Sequence, residues 1–296
     1  MSLATILFPD FALILFGFLL RRHAGWEIQF WSGLEKLIYY FLFPALLFST
    51  TARTAFDFAS TGRMLQVSIA TVFVGIALGW LARALFKGPP MIFESGVQTA
   101  FRFNSYIALA LASRLDGDKG TSLMALIMGF AVPLCNMAAV HALARKGGGL
   151  LRELAKNPML LATAAGMTFN LLGLPLPEIV GATLSRMANA SIALGLIAVG
   201  AGLQLSGLHA AKGMAAYFLA VKLMALPAIT LLLGRLMGLP TLQLQIVVAF
   251  AALPTASSAY VLAARMGGSG PFVAFLISAG TVLSVATMPL WLWLAR

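Results

Sequence analysis

Charge is scarce in this chain, and acid scarcest of all. Of its 296 residues 10% are charged and 60% hydrophobic, and nine Asp and Glu stand against twenty Lys and Arg. A soluble globule carries nearer a quarter of its residues charged. With a mean hydropathy of +0.94, the composition excludes a soluble domain and indicates a polytopic membrane protein. Cysteine is almost missing. Cys135 stands alone inside an apolar run, which rules out an intrachain disulfide and a cysteine-based metal site and leaves core packing as its ordinary role. There is no His-Glu-x-x-His zinc motif, no aspartate-rich diphosphate motif, and no glycine-rich loop ending in Lys-Ser or Lys-Thr. The sequence therefore calls for no metal and no other cofactor. Nor does any acid, from Asp10 to Glu178, sit securely in the middle of an apolar run, so a carboxylate proton relay is not expected.

What the chain has in abundance is apolar length. Spans of about 20 apolar residues with short connections fit ten times into the sequence. They fall at residues 3–20, 33–52, 64–86, 93–114, 121–144, 157–173, 182–205, 211–236, 243–266 and 271–295. Five precede the basic segment Arg145 to Lys156 and five follow it. An odd number of crossings per half inserts the second half upside down. The expected fold is an all-α polytopic membrane protein of ten transmembrane helices in two inverted five-helix repeats. The first repeat is 1–146, a short cytoplasmic connection is 147–156, and the second repeat is 157–296.

Internal echoes support the duplication. At a constant offset of 151, Phe103 falls on Pro254, Asn104 on Thr255, Arg114 on Arg265 and Gly117 on Gly268. Pro9 and Gly17 are matched by Pro158 and Gly166 at an offset of 149. Both long-offset stretches place helix-breaking or polar residues inside an apolar run, so helices 4 and 9 are expected to be interrupted there.

A net charge of +11 could suggest nucleic acid, but its distribution fits a lipid bilayer. The odd-numbered connections and their flanks hold Arg21, Arg22, Lys36, Arg83, Lys87, Arg145, Lys146, Arg152, Lys156, Lys212 and Arg265. The other side holds Arg53, Arg63, Arg114, Lys119, Arg186, Arg235 and Arg296. The richer side is cytoplasmic by the positive-inside rule, which puts both termini outside. Nothing basic precedes the first apolar run, so the first helix is expected to be retained rather than cleaved.

A helix broken inside a membrane must have its freed backbone groups satisfied by protein, water or ligand, so breaks survive only where they line a cavity. Pro254 has no amide proton and clashes with the preceding turn, which interrupts the ninth helix. Amides at the start of the next half-helix then favour an anion such as a carboxylate. Thr255, Ser257 and Ser258 add hydroxyls, and Asn104, with Ser105 and Tyr106, offers polar groups on the opposing crossover. The alternative is a plain proline kink with hydroxyls bonded back to their own helix. Arg102 either faces the cavity, which makes the substrate an anion, or snorkels from nearer a span end, or pairs with Glu94. Lys222 in the eighth span is assigned a structural or snorkelling role. Asn136 and Pro44 are expected to support the site from behind. Other polar residues inside spans, such as Asn189 and Gln204, need only interhelical hydrogen bonding to explain them. Gly75 and Gly79 form a small-xxx-small pair compatible with packing inside the protomer or with a homodimer interface.

Phe103-Asn104-Ser105-Tyr106-Ile107, Asn157-Pro158, Leu253-Pro254-Thr255-Ala256 and Pro44-Ala45-Leu46-Leu47-Phe48, in their order and spacing, resemble the bacterial auxin efflux carrier family over essentially the whole chain. The resemblance implies a ten-helix fold similar to bile acid and sodium-proton transporters, with discontinuous helices 4 and 9 crossing near the membrane midplane. It also implies organic anions, such as malonate, malate or an auxin, as substrates. The long hydrophilic loop of the plant carriers has no counterpart in Arg145 to Lys156.

A passive anion channel is the nearest rival, separable by its linear rather than saturable flux. An intramembrane enzyme is a more distant one. Gly267-Gly268-Ser269-Gly270 matches the Gly-x-Ser-Gly pattern of rhomboid proteases, yet His23, His141 and His209 all precede Ser269 and none follows to activate it. The motif reads better as a tight turn. With no acid at the crossover, what remains is uniport driven by membrane potential, coupling through sodium bound by carbonyls and hydroxyls, or a proton carried on the substrate, and of these uniport is favoured.

Overall fold

Proline and glycine set where the helices of this chain start, widen and reverse. The computed structural model describes residues 3–53, 58–143, 158–203, 211–256 and 258–296. The expected connection 147–156, with Asn157, Gln204 and Ser257, lies outside them. Among the described residues the chain is helical, with no strand. The α-helices are α1 (Leu3–His23), α2 (Ile28–Leu37), α3 (Phe43–Arg53), α4 (Phe58–Leu85), α5 (Pro90–Gly96), α6 (Ser105–Leu143), α7 (Pro158–Leu171), α8 (Glu178–Ala201), α9 (Lys212–Ala220), α10 (Leu226–Leu236), α11 (Thr241–Ala252), α12 (Ser258–Arg265) and α13 (Gly270–Leu294).

Among the described residues two π turns join neighbours into longer rods: Ile38–Leu42 between α2 and α3, and Val221–Ala225 between α9 and α10. Each is followed by a proline, Pro44 and Pro227. A proline lacks the N–H of the ladder and its ring collides with the carbonyl four residues back. Widening the preceding turn relieves that collision, and Phe43 and Leu226 accordingly bond five residues back, to the Ile38 and Val221 carbonyls.

Among the described residues five stretches are long and apolar enough to cross a membrane: Thr61–Leu85, Pro90–Leu143, Glu178–Ala201, Lys212–Leu236 and Gly270–Leu294. The second is 54 residues long, more than one crossing requires, and it is interrupted twice. The 3-10 turn Val97–Ala100 leads into a non-helical segment before α6 begins at Ser105. Within α6, Asp116 and Gly117 leave helical geometry, with Gly117 at φ +49° and ψ −131°, a conformation that glycine adopts at little cost. That reversal falls between the two spans expected at 93–114 and 121–144. Gly267, at φ +75°, marks a corresponding turn between α12 and α13.

The chain forms two compact units that interleave along the sequence. One comprises Met1–Phe58, Leu109–Phe130 and Gly149–Gly202. In it α1 lies along α8 and α3 along α7, and glycines bring the main chains together. A Cβ on Gly17 would strike the Ile197 carbonyl, and one on Gly200 the Ile14 carbonyl. A Cβ on Gly166 would stand 2.8 Å from the Phe48 carbonyl oxygen. Asn170 Nδ2 donates to the Ala52 carbonyl at 2.9 Å.

The other unit comprises Ala59–Ala108, Ala131–Gly148 and Leu203–Arg296. Its helices are tied by side-chain hydrogen bonds. Thr71 and Thr230 share one at 2.8 Å, Tyr217 Oη donates to the Leu78 carbonyl at 2.7 Å, and Trp291 Nε1 donates to the Leu223 carbonyl in the second π turn at 2.8 Å. Basic residues close helix ends: Arg63 donates to the Met237 carbonyl at 3.2 Å and Arg235 to the Leu294 carbonyl at 2.7 Å, where the helix dipole favours a cation. Gly75 and Gly79 face this unit's own interior. Their Cβ positions approach Phe101 at 3.0 Å and Ala100 at 3.1 Å, so the pair seats the segment leading to the crossover inside the protomer.

Candidate functional site

Two helix breaks meet within the second unit, one between Ala100 and Ser105 and the other after Ala252. At each, carbonyls and amides lose their partners in the helical ladder. Several find replacements across the crossing or from neighbouring side chains. The Asn104 amide donates to the Pro254 carbonyl at 2.8 Å. Thr255 Oγ1 donates to the Thr99 carbonyl at 2.8 Å. Gln98 Nε2 bridges the Ser95 carbonyl at 3.1 Å and the Ala259 carbonyl at 3.2 Å. From the later part of α6, Cys135 Sγ donates to the Phe101 carbonyl at 3.4 Å. Phe103 packs edge-on to Phe250, with ring centroids 4.7 Å apart.

Asn104 is the hinge of this arrangement. Its Oδ1 accepts from the amides of Tyr106 at 3.0 Å and Ile107 at 3.2 Å, which makes it the N-cap of α6 and satisfies donors that start the helix. Its backbone is pinned to Pro254, and the side chain is 1% exposed. The Nδ2 group, carrying two protons, is buried and has no acceptor among the described residues. An unfilled buried donor costs about 1–3 kcal/mol, so Asn104 Nδ2 is a group that an acceptor would stabilise.

Two cations are buried nearby. Arg102, 8% exposed, donates through Nη1 to Gln98 Oε1 at 3.2 Å, one turn back along the chain. Its burial is at odds with snorkelling from an exposed span end. Lys222, 3% exposed, donates through Nζ to the Ala251 carbonyl at 3.1 Å. It is structural in that sense and does not snorkel.

Arg102, Asn104, Pro254 and Thr255 thus come together. Ser105 and Tyr106 open α6 beside them and are partly buried. Ser258 opens α12, while Ala259, next to it, donates its amide to the Ala256 carbonyl at 3.0 Å. The N-terminal amides of both second half-helices are therefore partly used, by Asn104 Oδ1 in one and by the Ala256 carbonyl in the other. Asn136 is half-buried, and its neighbour Cys135 makes that helix's contact with the crossover. Pro44 follows the first π turn in the other unit. Gln98 is absent from the sequence-derived candidates. Its signal is a polar residue inside an apolar run one turn before Arg102, the spacing at which helix side chains meet.

The crossing thus gathers amides, hydroxyls, carbonyls and two buried cations in an apolar setting. A family model described as membrane transport protein matches residues 138–292. Over 309 aligned residues the chain is 28% identical to a protein of Rhizobium meliloti (strain 1021) named "Putative malonate transporter", covering 100% of this chain and 96% of that one. It is 23% identical over 295 residues to an "Uncharacterized transporter" of Methanothermobacter thermautotrophicus, covering 94% of each. It is also 23% identical over 317 residues to "Uncharacterized transporter YfdV" of Escherichia coli (strain K12), covering 98% of this chain and 96% of that one.

Proposed function

The chain belongs to the membrane transport protein family, that of the auxin efflux carriers, and from that premise we propose that it is a secondary carrier of small organic anions, carboxylates such as malonate or malate, working by alternating access at the crossover. It is a multi-pass membrane transporter and not an enzyme. The observation that carries the anion reading is the buried, unfilled Asn104 Nδ2 donor, in a crossover that also buries the cations Arg102 and Lys222. A carboxylate oxygen would fill that donor, and charge-assisted hydrogen bonds are the stronger kind. The buried Arg102 guanidinium favours the same sign of charge. The name of the Rhizobium relative favours malonate as the first substrate to try.

The alternating-access reading rests on two inverted repeats, 1–146 and 157–296, of ten spans joined by 147–156. Reciprocal packing supports it. The first span, α1, lies along the seventh, α8, through Gly17, while the sixth, α7, lies along the second, α3, through Gly166. Exchanging the halves turns one pair into the other, as a pseudo-two-fold axis in the membrane plane requires. The sequence of break, half-helix, positive-φ glycine and long helix also recurs, through Gly117 and then through Gly267. Transport is uniport, in a cell membrane, with the lysine- and arginine-rich connections cytoplasmic and both termini outside.

The test is counterflow in proteoliposomes loaded with mono- and dicarboxylates, comparing the native chain with Asn104→Ala. The native protein is expected to exchange dicarboxylates saturably. Asn104→Ala should raise KM about tenfold or more, from the loss of one charge-assisted hydrogen bond. Linear, non-saturating flux would replace the carrier with a pore, and an unchanged KM would remove Asn104 from the site.

A further inference from the structure

The open end of α11 is held by a cation that belongs to the protein itself. The last carbonyls of any helix lack amide partners and carry the negative end of its dipole. For Ala251 the residue four on, Thr255, lies in the break, outside the helix. In transporters with broken helices, such half-helix C-terminal ends and unwound carbonyls coordinate a sodium ion. Here the Ala251 carbonyl receives Lys222 Nζ at 3.1 Å.

The lysine is held there by built features rather than by chance. It sits in the π turn Val221–Ala225, ahead of Pro227, and π turns concentrate at functional positions. Trp291 Nε1 donates to the carbonyl of the adjoining Leu223 at 2.8 Å, tying down the same turn from α13. Lysine usually extends its ammonium to water, and an isolated buried ammonium is costly. At 3% exposure, Lys222 accepts that cost, and a helix C-terminus is where it is best offset.

We propose that the Lys222 ammonium is a tethered substitute for a coupling cation, so that the carrier runs without sodium or potassium, and that removing it opens a buried site for a small monovalent cation at the C-terminal end of α11. The transport half of this inference rests on the carrier reading above, whereas the cation half does not. Lys222 is thus a positioning residue that keeps α11 neutralised at its break.

The experiment follows thermal unfolding of the purified native chain, Lys222→Ala and Lys222→Arg in NaCl, KCl and choline chloride at equal ionic strength. The native chain and Lys222→Arg should melt alike in all three salts. Lys222→Ala should melt lower in choline and recover with saturable dependence on Na+ or K+. Folding only in the presence of one of these cations would support the inference equally. A Lys222→Ala protein that no salt restores, or a native chain that itself gains stability saturably from Na+, would overturn it. Alongside, dicarboxylate counterflow by the native protein should be unchanged when choline replaces Na+ on both sides, and loss of flux in choline would overturn the sodium-free reading. If the native chain exchanges no anion in any salt, the carrier assignment fails while the melting curves still judge Lys222.

Discussion

The two compact units solve the same problem of joining helices in opposite ways. The unit containing α1, α3, α7 and α8 brings main chain against main chain: Gly17 and Gly200 meet the Ile197 and Ile14 carbonyls, and Gly166 meets that of Phe48. The unit containing the crossover uses side chains as ties, from the Thr71–Thr230 pair to Trp291 on Leu223 and Lys222 on Ala251. Its glycines mostly meet side chains such as Phe101, Leu226 and Phe218. Without water to compete, close backbone approach gains dispersion contacts at no cost in polar groups. Hydrogen-bonded ties are needed where the backbone is broken, because every freed carbonyl must be answered. Apart from Pro44, every described candidate residue lies in the tied unit, beside the broken backbone.

The sharpest way to break the contrast is a methyl group. Gly200→Ala places its Cβ against the Ile14 carbonyl and the neighbouring main chain, where no rotamer can relieve the overlap. Overpacking usually costs about 1–3 kcal/mol, and here the loss should reach or exceed the top of that range. It should appear as a large fall in melting temperature and in yield of folded protein. Alanine tolerated at Gly200 with native melting would show that the glycine contacts do not hold this unit together.

Arg102→Gln acts in the tied unit and should do the reverse, leaving folding largely intact while changing the ligand preference. Glutamine can still donate toward Gln98 Oε1, but the buried charge is gone. Affinity for dianions should fall about tenfold, equivalent to about 1.4 kcal/mol, and monoanions should lose less. Competition by malonate and by a monocarboxylate in the counterflow assay measures both. Equal losses would mean that Arg102 serves the Gln98 contact and does not meet substrate.

How much of this is legible in the sequence depends on whether the signal is local. Pro254 announces its break because a missing amide is a property of one residue. No proline marks the opposite break, where only polar residues interrupt an apolar run. Yet Asn104 directly before the helix start at Ser105 is an N-cap pattern, and the cap explains why its Oδ1 is occupied while Nδ2 is not. The expected reversal between the fourth and fifth spans falls at Gly117 because glycine there is again a local signal. Lys222 stands out in the sequence as a cation in an apolar run. Its partner does not, being a backbone carbonyl 29 residues away that carries no side-chain signature. The interleaved units are invisible for the same reason, since they depend on which helices pack together and not on the order in which they occur. Gly75 and Gly79 show the same limit: the spacing marks a close contact, and only the fold identifies the partner as Phe101 and Ala100 rather than a second copy.

The smallest effect expected is at Gly75, where the two modes of packing meet. A Cβ there would lie 3.0 Å from Phe101 Cβ and 3.1 Å from Leu226 Cδ1. The leucine methyl can swing away, but Phe101 Cβ is fixed to the main chain one residue before Arg102. Its carbonyl also receives Cys135 Sγ at 3.4 Å. Gly75→Ala should therefore cost stability only about 1 kcal/mol, at the low end of overpacking. The shift of a few tenths of an ångström passes instead into the segment that leads to Asn104. Misplacing positioning groups lowers rates out of proportion to the energy stored, so turnover should fall a few-fold at nearly native melting temperature. If Gly75→Ala melts as low as Gly200→Ala, the two units share one packing mode. If neither melting nor turnover moves, Phe101 has room to retreat and the crossover is not seated by the third span.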